Sequence, residues 1–142
     1  MYLMIGYGNP LRADDGLGLI LAEALGEGWE IITSTQLLPE LAEPISRAER
    51  VVFLDASVGD IPGEVTCTVI QPQAVEGAFT HNVTPASLLA ASLALYETAP
   101  KAILIGITGA SFEYGTELSP VISALLPEII TKARQMIAEA FG

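Results

Sequence analysis

The sequence predicts an α/β fold. The expected architecture is a three-layer sandwich: a twisted, mostly parallel five-stranded sheet with one antiparallel edge strand and helices on both faces. Three observations predict it. Short apolar runs alternate with segments of helical period along the chain, the pattern of repeated strand–helix–strand units. Most of these runs are apolar at every position, as strands buried on both faces are. One run alternates apolar and polar, as an edge strand with a wetter face does. With 142 residues, the chain is expected to form one domain, 1–142, large enough to bury a core without a disulfide or a metal.

The elements follow in order. Tyr2 to Ile5 reads as a first strand and Gly6 to Arg12 as a loop. Asp15 to Leu25 places Leu17, Ile20, Leu21, Ala24 and Leu25 at helical spacing. Glu30 to Ser34 is a second strand, and Leu38 to Ala48 is helical with an interruption expected at Pro44. Val51 to Leu54 is a third buried strand that ends at Asp55. Glu64 to Ile70 sets Val65, Cys67 and Val69 against Thr66 and Thr68, which makes it the edge strand. Thr84 and Pro85 fit the N-cap and first position of a helix reaching Tyr96. Ala102 to Ile107 is another buried strand. Ser119 and Pro120 open a last helix to Ala140, with Leu118, Val121, Leu125, Ile129, Ala133 and Met136 on one stripe. Pro127 is expected to kink or split it.

Composition excludes several function classes. Hydrophobic residues are 51% and charged residues 16% of the chain, which rules out long disorder. Six Lys and Arg face 17 Asp and Glu, a net charge of −11. Nucleic acid and anionic membranes both need a cationic face, so neither is expected as a main partner. A metal cation or a basic protein fits the charge. One cysteine permits no intramolecular disulfide and suits a reducing compartment. One histidine excludes any site needing two His ligands from one chain. No apolar run is long enough to cross a bilayer, and Met1 to Gly6 carries no cationic leader. The protein is therefore expected in the cytoplasm.

In open α/β sheets, ligands bind beyond the carboxyl ends of the strands. That rule brings Gly6 to Asp15, after the first strand, and Asp55, after the third, to one edge. A carboxylate directly after Val-Val-Phe-Leu is costly unless it is paired, solvated or bound to a cation; a turn-capping Asp is the alternative. Asp14 and Asp15 open the first helix, where one can cap and the other can point into the cleft. His81 lies in a loop before the Thr84 helix start. It is either a solvated loop residue or a third member with the two carboxylates. Asp, Asp and His together offer two hard oxygens and one nitrogen, a set that suits nickel or zinc better than calcium. Gly6-Tyr7-Gly8 begins like a dinucleotide loop, but Leu11 stands where its third glycine belongs. Gly16 and Gly18 weaken the helix start, a cost that close approach by a large partner would explain. There is no nucleophile elbow, P-loop or H-E-x-x-H. Cys67 reads as a buried structural thiol rather than a nucleophile paired with His81.

The stretch Gly6-Tyr7-Gly8-Asn9-Pro10-Leu11-Arg12-Ala13-Asp14-Asp15-Gly16-Leu17-Gly18 resembles the hydrogenase maturation protease family. These endopeptidases trim the C-terminus of nickel-iron hydrogenase large subunits. Gln36 to Ala42, Val52 to Ala56, Gly59 to Gly63, Thr80-His81-Asn82 ahead of Pro85 to Leu89, and Gly115 to Pro120 continue the likeness in order. A departure falls at Gly106 to Ala110, which lacks the Pro many members carry after this strand. The resemblance implies a twisted sheet between helices. It implies that Asp15, Asp55 and His81 form both the metal-reading and the catalytic set. It also implies that the nickel is carried by the substrate, bound transiently, with no resident cofactor. The implied partner is the hydrogenase large-subunit precursor, met by a monomer in the free state. Hydrolysis by a metal-polarised water or carbonyl and by a carboxylate base are both compatible with it. Two other functions fit parts of the chain: a non-cleaving chaperone for the metal-loaded subunit, and a peptidyl-tRNA hydrolase-like enzyme, which the charge disfavours.

Overall fold

A computed structural model describes residues 1–74 and 83–142. The described strands are β1 (Tyr2–Tyr7), β2 (Glu30–Ser34), β3 (Arg50–Ser57), β4 (Val65–Ile70) and β5 (Lys101–Thr108). The helices are α1 (Leu17–Leu25), α2 (Ala42–Ser46), α3 (Pro85–Tyr96) and α4 (Pro120–Phe141). Tight 3-10 turns at Ala13–Gly16 and Pro39–Leu41 lead into α1 and α2. The strands form one sheet in the order β2-β1-β3-β5-β4. Four run parallel, and β4 lies antiparallel to β5 at the edge. The architecture is the one the sequence predicts.

The alternation of side chains along each strand builds two cores. Met4, Val52, Leu54, Ile103, Ile105 and Ile107 point to the face covered by α1 and α4. Leu3, Ile5, Val51, Phe53 and Ala102 point to the face covered by α2 and α3. Residues 3–6 of β1 and 51–54 of β3 are buried without a break, because helices cover both faces.

Several expectations need correction. Cys67 is exposed, not a buried structural thiol. As a strand at the sheet edge, β4 leaves Thr66 to Val69 exposed and buries only Val65 fully. Pro127 does not split α4, which runs unbroken for 22 residues, and the Thr131 hydroxyl donates to the Pro127 carbonyl at 3.0 Å. Within α4 the inward residues are Ile122, Ile129 and Ala133, whereas Val121 is exposed. Pro44 sits in the first turn of α2, where its missing N–H costs nothing. The glycine at 18 serves the sheet and not an outside partner. A Cβ there would stand 2.5 Å from the Leu54 carbonyl oxygen and 2.6 Å from that of Tyr7. Close seating of α1 on β1 and β3 is what requires glycine.

The α3 start is as expected. Thr84 accepts from the Ser87 N–H at 3.0 Å, and the Ser87 hydroxyl accepts from the Thr84 N–H at 2.8 Å, a reciprocal capping box. Among the described residues no helix is long and apolar enough to cross a membrane.

Candidate functional site

Both strands that lead to the site run further than the sequence indicates. β1 continues to Tyr7 and β3 to Ser57, so Asp55 lies within the strand, opposite Gly106 of β5. Alternation puts Tyr7 and Asp55 on the same face, the one covered by α2 and α3. There the Tyr7 hydroxyl donates a hydrogen bond to the Asp55 carboxylate. Half-buried Asp55 has its pKa pushed up to about 6. Burial is the main cause and the Asp15 charge adds to it, while the Tyr7 hydroxyl and the Ala56 N–H pull the other way. Burial, then the negative charge of Asp55 and their hydrogen bond, raise Tyr7 far above its ordinary value. The phenol therefore stays a donor at physiological pH.

Asp15 reaches the same place from the loop after β1. Gly8 turns the chain at φ 144°, and any Cβ there would collide with the Asp15 carbonyl. That turn lets the Asn9 N–H donate to Asp15 Oδ2 at 2.7 Å. The Asn9 side chain in turn accepts from the Leu11 N–H at 2.9 Å. Neither Asp14 nor Asp15 caps α1, since the N-cap is Gly16 and has no side-chain partner.

Asp14 instead is fully buried and ties two loops together. Its carboxylate accepts from the N–H groups of Ala110 at 2.7 Å, Ser111 at 2.9 Å and Ser119 at 2.8 Å, and from the Ser119 hydroxyl at 2.7 Å. Burial works against its charge, but these four donors outweigh it and hold its pKa below the ordinary value. Asp14 thus fixes Ser119, the residue that precedes α4 and whose own side chain makes no cap bond. The same loops are joined by Ala13 N–H to Gly115 carbonyl at 2.9 Å, with Ala13 held at φ 49°.

Of the three predicted site residues, Asp15 and Asp55 come together at the carboxyl edge. His81 lies outside the described residues. Val83, two positions on, packs against the cluster that includes Tyr7. Among the described residues no three His, Cys, Asp or Glu side chains converge on a metal-sized site. Sequence reasoning missed Tyr7, taking it as the variable residue of a glycine loop. Its signal was a phenol at the end of an apolar run, where a hydroxyl needs a partner.

No family model matches the chain. It is similar to the Hydrogenase 2 maturation protease of Escherichia coli (strain K12), with 23% identity over 149 residues, 97% of this chain and 91% of that protein. Three solved structures show the same fold. The hydrogenase maturating endopeptidase HybD from E. coli has a TM-score of 0.73 at 24% identity, over 98% of this chain and 93% of that one. The [NiFe] hydrogenase maturation protease HybD from Thermococcus kodakarensis gives 0.70 at 27%, over 95% and 97%. The [NiFe] hydrogenase maturation protease HycI from Thermococcus kodakarensis KOD1 gives 0.69 at 26%, over 98% and 90%.

Proposed function

Because the chain belongs to the hydrogenase maturation protease family, we propose that it is the endopeptidase that removes the C-terminal extension of a nickel-iron hydrogenase large-subunit precursor. In this proposal Asp15, Asp55 and His81 read nickel already carried by that substrate. The enzyme works in the cytoplasm, as a monomer until it meets its substrate.

The observation that carries the proposal is the meeting of Asp15 and Asp55 at the carboxyl edge, close enough for the Asp15 charge to raise the Asp55 pKa. Like charges in a half-buried place disfavour each other. A divalent cation held mainly by the substrate would turn that repulsion into two attractions. An imidazole from His81 would complete a set suited to nickel. Gly8 and Asn9 hold Asp15 in place, and Tyr7 holds Asp55, so the cost of ordering both carboxylates is met before the substrate arrives.

Peptide cleavage adds water to the scissile carbonyl and breaks the C–N bond, with the water proton passing to the leaving amine. A carboxyl group near pH 6 is well placed to take that proton as general base. Nickel on the substrate would supply positive charge at the carbonyl or the water. A precursor without nickel lacks the anchor that orients its tail, and is spared.

The test is incubation with a nickel-loaded precursor and, separately, with its nickel-free form. Wild type should shorten only the first, and Asp15→Ala should shorten neither. Equal cutting of both forms, or an undiminished rate in Asp15→Ala, overturns the proposal.

A further inference from the structure

The carboxyl edge exposes more apolar surface than the two carboxylates require. Leu11 is 57%, Val58 83%, Ile61 62% and Tyr114 93% exposed. Soluble proteins seldom gather such side chains without a use for them. They sit on three loops that backbone hydrogen bonds fasten side by side. The Gly115 N–H donates to the Leu11 carbonyl at 2.9 Å, which sets Tyr114 next to Leu11. The Gly109 N–H donates to the Ser57 carbonyl at 3.0 Å, and the Gly63 N–H to the Thr108 carbonyl at 2.7 Å. Those bonds hold the Val58 and Ile61 loop against the end of β5. Beside Tyr114 opens a cavity of about 360 Å³, lined by Ala13, Ser111, Glu113, Glu117 and Ser119 among others.

The charge around this rim is mainly negative. Asp60, Glu113 and Glu117 are exposed on it. The loops that carry it hold a single cation, Arg12, whose Nε donates to the Phe112 carbonyl at 3.0 Å. Lys132 of α4 shares a pocket with Ile61 and Gly63, next to Glu64 and Glu128, and the remaining cations lie at the opposite edge. Arg50 and Lys101 face each other at the starts of β3 and β5. Arg47 closes α2, and Arg134 reaches the Ala24 carbonyl at the end of α1.

We propose that this rim is the docking surface for a segment of the protein substrate that combines apolar residues with Lys or Arg. The apolar residues cover Leu11, Val58 and Tyr114, and the cations meet Asp60, Glu113 and Glu117. This rests on the protease function proposed above, because the segment would lie beside the bond to be cut. The occupant follows from complementarity. A second copy of a chain with net charge −11 would set acid against acid, and nucleic acid would be repelled. An exposed tyrosine on such a surface is a common anchor of protein recognition.

The experiment uses the nickel-loaded large-subunit precursor and two triple variants. One carries Leu11→Ser, Val58→Ser and Tyr114→Ser; the other carries Asp60→Lys, Glu113→Lys and Glu117→Lys. All six positions are exposed, and thermal unfolding verifies that both variants fold. Each should raise KM roughly tenfold or more with little change in kcat, since uniform binding is lost. The lysine variant should also lose the weakening of KM by salt. Unchanged KM in both variants overturns the proposal. Binding of the precursor, measured by calorimetry, separates the two readings. If wild type binds but does not cut, and both variants bind weakly, docking stands and the protease reading falls. If Asp15→Ala stops cutting while both variants bind and cut like wild type, the protease reading stands and docking falls. A free wild-type dimer that both variants dissolve would show a second copy as the occupant and would overturn the proposal.

Discussion

Asp14 and Asp55 lie at one sheet edge, yet their surroundings push them in opposite directions. Asp14 gains four donors and its pKa is lowered. Its stabilising contribution is therefore full above the unfolded value of 3.8 and is lost as pH falls through the lower folded value. Asp14→Ala should cost about 1.5–3 kcal/mol or more at pH 7, the range for losing a hydrogen bond to a charged acceptor. Urea unfolding checks it; a loss that is the same at pH 2 as at pH 7 would sink the linkage. Asp55 behaves in reverse. Its pKa is raised to about 6, so the stability of its neutral form is present below about 4 and is lost as pH rises through about 6. Asp55→Asn should raise Tm at pH 8, leave it nearly unchanged at pH 4, and abolish processing. A variant no more stable than wild type at pH 8 would contradict this account. Tyr7→Phe removes a donor that favours the Asp55 carboxylate. The acid limb of the pH–activity profile should move to higher pH, with the fold intact because the ring remains.

At the scale of elements, the tightest joint is between α1 and the strands beneath it. The Gly18 position leaves no room for a methyl group against Leu54 and Tyr7. Gly18→Ala should cost about 1–3 kcal/mol from overpacking. It should also reduce activity, since the displaced strand residue is Tyr7 itself. Loss of activity without loss of stability, or the converse, would separate two effects that the geometry couples. Such joints explain what the sequence discloses. Strands and helices were legible because burial writes itself as period: β1 and β3 are apolar at successive positions, and the Thr84-Pro85 start carries its own capping chemistry. The pairing of Asp15 with Asp55 was legible because parallel strands deliver their ends to one edge. Asp14 was not, because its partners lie 96 to 105 residues away in a loop of no regular pattern. Cys67 misled because alternation alone does not say how much of an edge strand a helix covers.

At the scale of the molecule, the two edges of the sheet differ in charge. At the amino edge Tyr2, Trp29 and Phe141 stack with ring centroids 5.4 and 6.2 Å apart, and the Arg50 guanidinium sits 4.7 Å from the Tyr2 ring centre. That edge holds most of the cations, and beside Phe141 a cavity of about 510 Å³ opens between Ile70, Pro72, Lys101 and Ala102. The carboxyl edge holds Asp15, Asp55 and the acidic rim. This separation gives salt two effects of opposite sign. A net charge of −11 repels itself, so screening should stabilise the fold. The same screening weakens the pull of the acidic edge on a cationic substrate segment, so it should slow capture. Raising ionic strength from about 0.01 M to about 0.15 M shortens the screening length from about 30 Å to about 8 Å. Across that range Tm should rise while kcat/KM falls and kcat holds. The two measurements can be made on one preparation in one buffer series. If Tm and kcat/KM move in the same direction, the separation of charge between the two edges does not govern substrate capture.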